Sequence, residues 1–140
     1  MKDEIKVLSQ IDKTSYVNLC KSILDLEQNI FFVGIINNHG RLVDFVKKQN
    51  KMTQSLESMD LDMICMQARL YMSMQSDHDE NLGRFGHCIT EREKTTMLTI
   101  PTIYGTVLVI SSNEIDSKEL IQKIFQVTDN SCFAQILNPC

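Results

Sequence analysis

Four neighbouring side chains near the middle of the chain have the chemistry of metal ligands. They are the carboxylate and imidazole groups of Asp77, His78, Asp79 and Glu80, within the segment SDHDEN. Both kinds of group bind metal ions in proteins. Consecutive residues at the end of a helix, however, project in different directions and do not converge on one ion. We therefore interpret this segment as a solvated acidic helix end, and we expect neither a bound metal nor another cofactor.

The other candidate bases and nucleophiles also have simple structural interpretations. His39 lies within Asn37–Gly40, where Asn and Gly favour a hairpin turn with an exposed histidine; a ligand-binding role for His39 is the alternative. His87 and Cys88 are adjacent on a predicted strand, so their side chains should point to opposite faces and cannot pair as base and nucleophile. The sequence contains no G-x-x-x-x-G-K-[ST] and no G-x-S-x-G motif. No catalytic residue is predicted, and an enzyme is the least favoured class of function.

The overall composition is typical of one globular domain. The chain has 140 residues, of which 43% are hydrophobic and 23% charged, and its formal net charge is −4. A negative chain repels phosphates, so we do not expect it to bind nucleic acid. No apolar run approaches the roughly 20 residues that cross a bilayer, and the N-terminus lacks a signal-peptide pattern. The five cysteines include no C-x-x-C pair, which favours reduced thiols in a cytoplasmic protein.

The apolar pattern predicts the element order helix, two strands, helix, three strands, helix. Continuous apolar runs at 30–36 (IFFVGII) and 106–111 (TVLVIS) predict strands that are buried on both faces, and we expect these two strands to be central and adjacent. Strands that are joined by short turns pair antiparallel. The weaker strand is expected at an edge of the sheet. The remaining strands are predicted at 41–47, 84–91 (the weaker one) and 95–100 (ending before Pro101), and the helices at about 15–27, 60–75 and around 120–125.

This order, together with VGIINNHGRLVDF and TVLVISS, resembles the roadblock/dynein light-chain domain, in the wider group of longin and profilin-like folds. The chain is also similar to short archaeal proteins of this type without assigned function. The resemblance covers roughly residues 14–127, which leaves 1–13 as an N-terminal arm and 128–140 as a C-terminal tail. It implies an α/β (α+β) domain with a five-stranded antiparallel sheet flanked by helices. It also implies a non-enzymatic dimeric module that binds small GTPases, motor components or signalling complexes.

The long predicted helix carries two apolar stripes on opposite sides. At about 100° per residue, the stripe expected to face the sheet consists of Leu61, Ile64, Cys65, Ala68 and Met72. The second stripe consists of Met63, Met66, Leu70 and Met74. A helix that lies on its own sheet needs only one of them. The second stripe must be covered by the arm or tail of the same chain, or by another chain, and three methionines suit an adaptable contact surface.

We predict a dimer interface where the second stripe and the edge strand meet. Gly83 and Gly86 leave the backbone of the strand at 84–91 accessible, and an unpaired edge is a template for another strand. A two-fold axis near this edge would pair two edge strands and place two long helices side by side. Three basic side chains lie in or near this strand: Arg84, Arg92 and Lys94. They either form the solvated face and turn of the edge strand or contact an acidic partner. The predicted interface residues are Met63, Met66, Leu70, Met74, Arg84, Phe85, Gly86, His87 and Cys88.

These expectations favour a cytoplasmic, homodimeric interaction module that docks or regulates a small GTPase or another signalling protein. The alternative is a PAS-like sensor domain that holds a small molecule between its sheet and its helices. A sensor needs a pocket with a few converging polar groups. The sequence pattern indicates no such pocket.

Overall fold

The computed structural model describes residues 16–51, 53–54 and 60–129, which form a five-stranded antiparallel sheet with helices on both faces. The predicted N-terminal arm and the tail beyond residue 129 lie outside this description. A short helical stretch at 51 and 53–54 follows the second strand. The elements are helix α1 (16–24), strands β1 (Ile30–Ile36) and β2 (Leu42–Lys47), helices α2 (Leu61–Ser76) and α3 (Asp79–Leu82), strands β3 (Cys88–Glu91), β4 (Thr95–Thr102) and β5 (Gly105–Ser112), and helix α4 (Ser117–Asp129).

The order of strands across the sheet is β2-β1-β5-β4-β3. The two long apolar runs, β1 and β5, are therefore neighbours at the centre, as the sequence predicts, and they pair antiparallel. β3 lies at an edge, also as predicted, and β2 forms the other edge. The expected element order and fold class are confirmed, with α3 and the short helical stretch at 51 and 53–54 as additions within the described ranges.

The edge strand is shorter than predicted, because it begins at Cys88 and not at residue 84. The chain turns sharply at Gly83, whose φ of +89° follows the single turn of α3. The backbone N–H of Phe85 then donates to the Asp79 carboxylate at 2.9 Å. This bond ties the segment to α3. The prediction that His87 and Cys88 lie side by side on a strand is wrong, since only Cys88 belongs to β3.

The predicted end of β4 before Pro101 is also wrong, since the strand continues to Thr102. β3 pairs only with the stretch from Thr96 to Thr99, so no strand in the described part of the chain lies outside Pro101. A proline is tolerated in such a position, because an unpaired strand edge does not need its missing N–H. β4 therefore continues past Pro101, and in the described ranges its outer side has no partner strand at this residue.

The hydrophobic core lies in two layers, one on each face of the sheet. On one face, α1 and α4 pack over alternate residues of the central strands, including Val33, Ile35 and Val109. On the other face, α2 is the one helix of the described ranges that packs over Phe32, Leu108 and other alternate residues. The sheet-facing stripe of α2 is the predicted one: Cys65 and Met72 are buried, and Leu61, Ile64 and Ala68 are partly buried.

The turn between β1 and β2 is the predicted hairpin turn. The side-chain oxygen of Asn37 accepts from the backbone N–H groups of His39 and Arg41, at 2.9 and 3.0 Å. Gly40 has a φ of +76° and is buried, whereas His39 is exposed. A Cβ atom on Gly40 would lie 3.4 Å from the Cα atom of Met66. The turn therefore packs directly against α2.

Gly40→Val is expected to lower the free energy of unfolding by about 1 kcal/mol or more, because a β-branched residue is strained at positive φ. The added side chain would also crowd the backbone of α2. His39→Ala is the matched control in the same turn and should leave stability and association unchanged, since that side chain is exposed. Urea unfolding of the two variants provides the comparison. Negligible effects from both would contradict this account of the turn.

Candidate protein interface

A groove of about 870 Å³ lies between α2 and the edge of the sheet formed by β3 and β4. It exists because α2 covers the central strands β1 and β5, while the strands beyond them extend past the helix. The wall formed by α2 includes Gln67 and Tyr71, and the floor formed by β3 and β4 includes Cys88, Thr90, Met97 and Thr99. The groove thus mixes apolar surface with hydroxyl, amide and thiol groups.

The two edges of the sheet differ in how their backbone groups are satisfied. On the β2 edge, the Asp44 carboxylate accepts the backbone N–H of Phe45 at 2.9 Å. The Lys48 ammonium at the end of this strand donates to the carbonyl oxygens of Glu27 and Gln28, at 3.2 and 3.0 Å. On the β3 edge, no further strand in the described ranges pairs with the outer side of Cys88–Glu91. A side chain that bonds to the backbone discourages strand addition at an edge, so β3 is the more open of the two.

The second apolar stripe of α2 points away from the sheet, as its spacing predicts. Its four side chains are each more than half exposed, against 0% for Cys65 on the sheet-facing side. They are Met63, Met66, Leu70 and Met74. The structure therefore leaves this stripe as the largest run of exposed apolar side chains on α2, and its role as an interface stays a prediction.

The remaining predicted interface residues occupy the segment that leads into β3. Arg84, Gly86 and His87 are exposed and lie outside any helix or strand. Phe85 is partly buried, and its ring packs edge-on against Tyr71 of α2 at 6.5 Å between centroids. Cys88 opens β3 and lines the groove. The structure thus brings this segment to the groove side of α2, whereas the second stripe faces outward.

Sequence reasoning missed the groove and the residues that define it, chiefly Gln67, Tyr71, Thr90 and Thr99. One signal for it was present in the sequence. Paired residues of β3 and β4 share a face, and on the α2 face the pairs are Cys88 with Thr99 and Thr90 with Met97. This mixed polarity is typical of a half-covered sheet face, in contrast to the large apolar side chains that β1 and β5 place under α2, which include Phe32, Ile36, Leu108 and Ile110.

The buried thiols are chemically inert. Burial raises the pKa of Cys20 to about 12, with a further contribution from the Asp44 carboxylate. Burial likewise raises the pKa of Cys65 to about 11, with a further contribution from Asp62. Only a thiolate is a strong nucleophile, so both groups act as small apolar side chains. Cys88 differs, because it is only partly buried and its sulfur lies 3.8 Å from the Thr90 hydroxyl.

Neither a metal centre nor a membrane span is found among the residues that the structure describes. The acidic segment at 77–80 is divided between the end of α2 and the turn of α3. Nowhere in the described ranges do three or more His, Cys, Asp or Glu side chains come close enough to hold one ion. No helix in the same ranges combines the length and apolarity that crossing a bilayer requires.

Comparisons with known proteins identify the fold. No family model and no curated protein matches the sequence, so the expected similarity to archaeal proteins gains no support. Solved structures do match. MglB of Myxococcus xanthus is 12% identical with a TM-score of 0.69, over 91% of this chain and 98% of that one. A roadblock/LC7 domain from Streptomyces avermitilis is 10% identical with a TM-score of 0.61, over 79% and 89%.

A third match is the gliding protein MglB from Thermus thermophilus, which is 9% identical with a TM-score of 0.61, over 86% of this chain and 93% of that one. Identities this low establish the fold alone. The described residues therefore have the roadblock-like α+β fold that the element order resembles: a five-stranded antiparallel sheet flanked by helices.

The raised thiol pKa values predict that stability falls at alkaline pH. The folded protein retains protons on Cys20 and Cys65 that the unfolded chain, with an ordinary thiol pKa of 9.0, releases. The free energy of unfolding should therefore fall as the pH rises from about 9 towards 11 or 12, the folded-state values. Urea unfolding on either side of pH 9 measures this loss. The double variant Cys20→Ala/Cys65→Ala should lose less on the same pH change; an equal loss would contradict the assignment.

Proposed function

We propose that the protein is a non-enzymatic homodimeric interaction module, which docks or regulates a small GTPase or another signalling protein. The observation that supports a dimer is the open β3 edge beside the groove. Antiparallel pairing of β3 with β3 of a second copy would join the two sheets, and it is self-complementary about a two-fold axis. The segment 84–88 leads into this edge and would lie at the same axis.

The groove provides the apolar part of this interface. Ile64 on α2 and Met97 on β4 are only partly buried at the groove wall and floor. Complete burial of an exposed side chain of this size contributes roughly 1.5 to 3 kcal/mol, and covering only the part that is still exposed contributes less. When two β3 edges pair, the grooves of the two copies lie side by side, with one α2 helix along each outer wall. The apolar side chains of both grooves then belong to one continuous surface.

Support for a signalling partner comes from the sequence pattern and from the fold. The pattern resembles roadblock domains, which implies GTPase-binding or motor-associated modules. The fold is shared with MglB, which is described as a gliding protein, and with MglC of Myxococcus xanthus at 11% identity, with a TM-score of 0.56 over 81% of this chain and 92% of that one. The proposed docking is tested by capture from native cytosol with small GTPases scored in both nucleotide states. Retention of no GTPase in either state would argue against that part of the proposal.

The groove also gives the PAS-like alternative a concrete site. Its volume of about 870 Å³ falls within the range of small-molecule pockets, and the hydroxyl groups of Thr90 and Thr99 lie among its lining. A sensor would bind its ligand in this groove. Native mass spectrometry of the purified protein distinguishes the sensor from the interaction module. A retained small molecule of constant mass would favour the sensor.

Thr90→Lys is expected to halve the molecular mass of the assembly, because two like charges would meet where the β3 edges pair. Val43→Lys, on the opposite edge strand, is the matched control and should leave the mass unchanged, since Val43 is exposed. Light scattering at high micromolar concentration measures both. A monomeric unmodified protein at that concentration, or equal behaviour of the two variants, would exclude pairing through β3.

A further inference from the structure

The methionines that the structure describes differ sharply in their exposure to solvent. Met72 is 5% exposed on the sheet-facing side of α2, and Met97 is partly buried on the floor of the groove. The three methionines of the second stripe are each more than half exposed; they are Met63, Met66 and Met74. One side of a helix of 16 residues therefore presents three thioether groups to solvent.

The three exposed methionines lie close together on one face of α2. At about 100° per residue, the whole second stripe falls within an arc of about 80° around the helix axis. Met63 and Met66 are neighbours on successive turns, and Leu70 lies between Met66 and Met74. Three of the four apolar side chains on this face are therefore thioethers. A chemical change at sulfur would alter most of the stripe at once.

Hydrogen peroxide makes such a change in one step. A lone pair of the thioether sulfur attacks one oxygen of the peroxide, the O–O bond breaks and an S–O bond forms. After proton transfer, the other oxygen leaves as water. The sulfur loses two electrons and the peroxide gains them, so the step needs no further reactant. The product is methionine sulfoxide, which is polar where the thioether is apolar.

The position of each methionine determines what oxidation does to the protein. Met72 is protected from peroxide by its burial, and a sulfoxide at this position would place an unpaired polar group in the core. On the second stripe, the added oxygen stays in contact with water. Oxidation there changes the surface of α2 and leaves the packing against the sheet intact.

We propose that Met63, Met66 and Met74 form a site of reversible oxidation by peroxides, which converts the second stripe from an apolar to a polar surface. The reverse step is the reaction of methionine sulfoxide reductases, in which a dithiol supplies two electrons and two protons and the oxygen leaves as water. Each of the two reductase classes repairs one sulfoxide epimer. The site faces away from the sheet, so it depends neither on β3 pairing nor on the partner proposed above.

Treatment of the folded full-length chain with hydrogen peroxide tests which methionines react. Peptide mapping by mass spectrometry locates each added oxygen and separates methionine oxidation from cysteine oxidation. The three methionines of the second stripe should react about tenfold or more faster than Met72, because exposure governs the rate. Equal rates at Met72 and the stripe would overturn the proposal. Protection of the stripe would also overturn it, because another surface would then cover these side chains in solution.

Hydrophobic-interaction chromatography measures the change in the surface, at the stage when the stripe is oxidised and Met72 is not. The oxidised protein should elute earlier with an unchanged urea midpoint, and both reductase classes together should restore its retention.

The matched control is the triple variant Met63→Leu/Met66→Leu/Met74→Leu, which keeps the size and apolarity of the side chains but has no sulfur on the stripe. Its retention should not change under peroxide. An equal shift in this variant would place the change elsewhere in the chain and contradict the proposal. A lowered urea midpoint in the oxidised unmodified protein would likewise contradict it, since oxidation would then disturb the fold.

Discussion

The fold depends on two central strands that are buried on both faces. β1 and β5 bury Val33, Ile35 and Val109 towards one face and Phe32 and Leu108 towards the other. Both faces of the sheet must therefore be covered. Among the residues that the structure describes, two helices cover one face and α2 by itself covers the other. A helix with its side chains is about 10 Å wide and strands lie about 4.8 Å apart, so one helix covers roughly two of the five strands. The groove over β3 and β4 follows directly from this difference in coverage.

Local pattern was sufficient to predict most of the fold and part of the candidate site. The runs IFFVGII and TVLVIS indicate buried strands, and helical spacing separates the two stripes of α2 without reference to tertiary structure. The start of β3 was not predictable in this way, because it is set by the bond from Phe85 to Asp79 across the turn of α3. The groove was missed for a related reason. It is a property of how far α2 extends over the sheet, and no single segment encodes that distance.

The contrast between the two sheet edges is an electrostatic one. On β2, the Asp44 carboxylate accepts the backbone N–H of Phe45, so a charged side chain occupies a group that an added strand would use. Phe45, although 43% exposed, stacks on Phe32 at 5.5 Å and is thereby tied to its own sheet. On β3, Thr90 and Glu91 are exposed with no comparable side-chain bond in the described residues to the outer edge of the strand. Such an asymmetry directs strand pairing to one edge, since both edges would otherwise compete for it.

The turn at Asn37–Gly40 links the sheet to the orientation of α2. Gly40 lies close enough to α2 that even a methyl group would contact the Met66 backbone, and Arg69 reaches back to the carbonyl of Asn38. Rotating α2 so as to bury its second stripe would break this bond and push the Met66 side chain into the turn. The stripe stays outward because the opposite side of α2, with Cys65 and Met72, is buried on the sheet, and the turn contacts add to this packing. The turn residues therefore contribute to the orientation of α2 that leaves Met63, Met66, Leu70 and Met74 exposed.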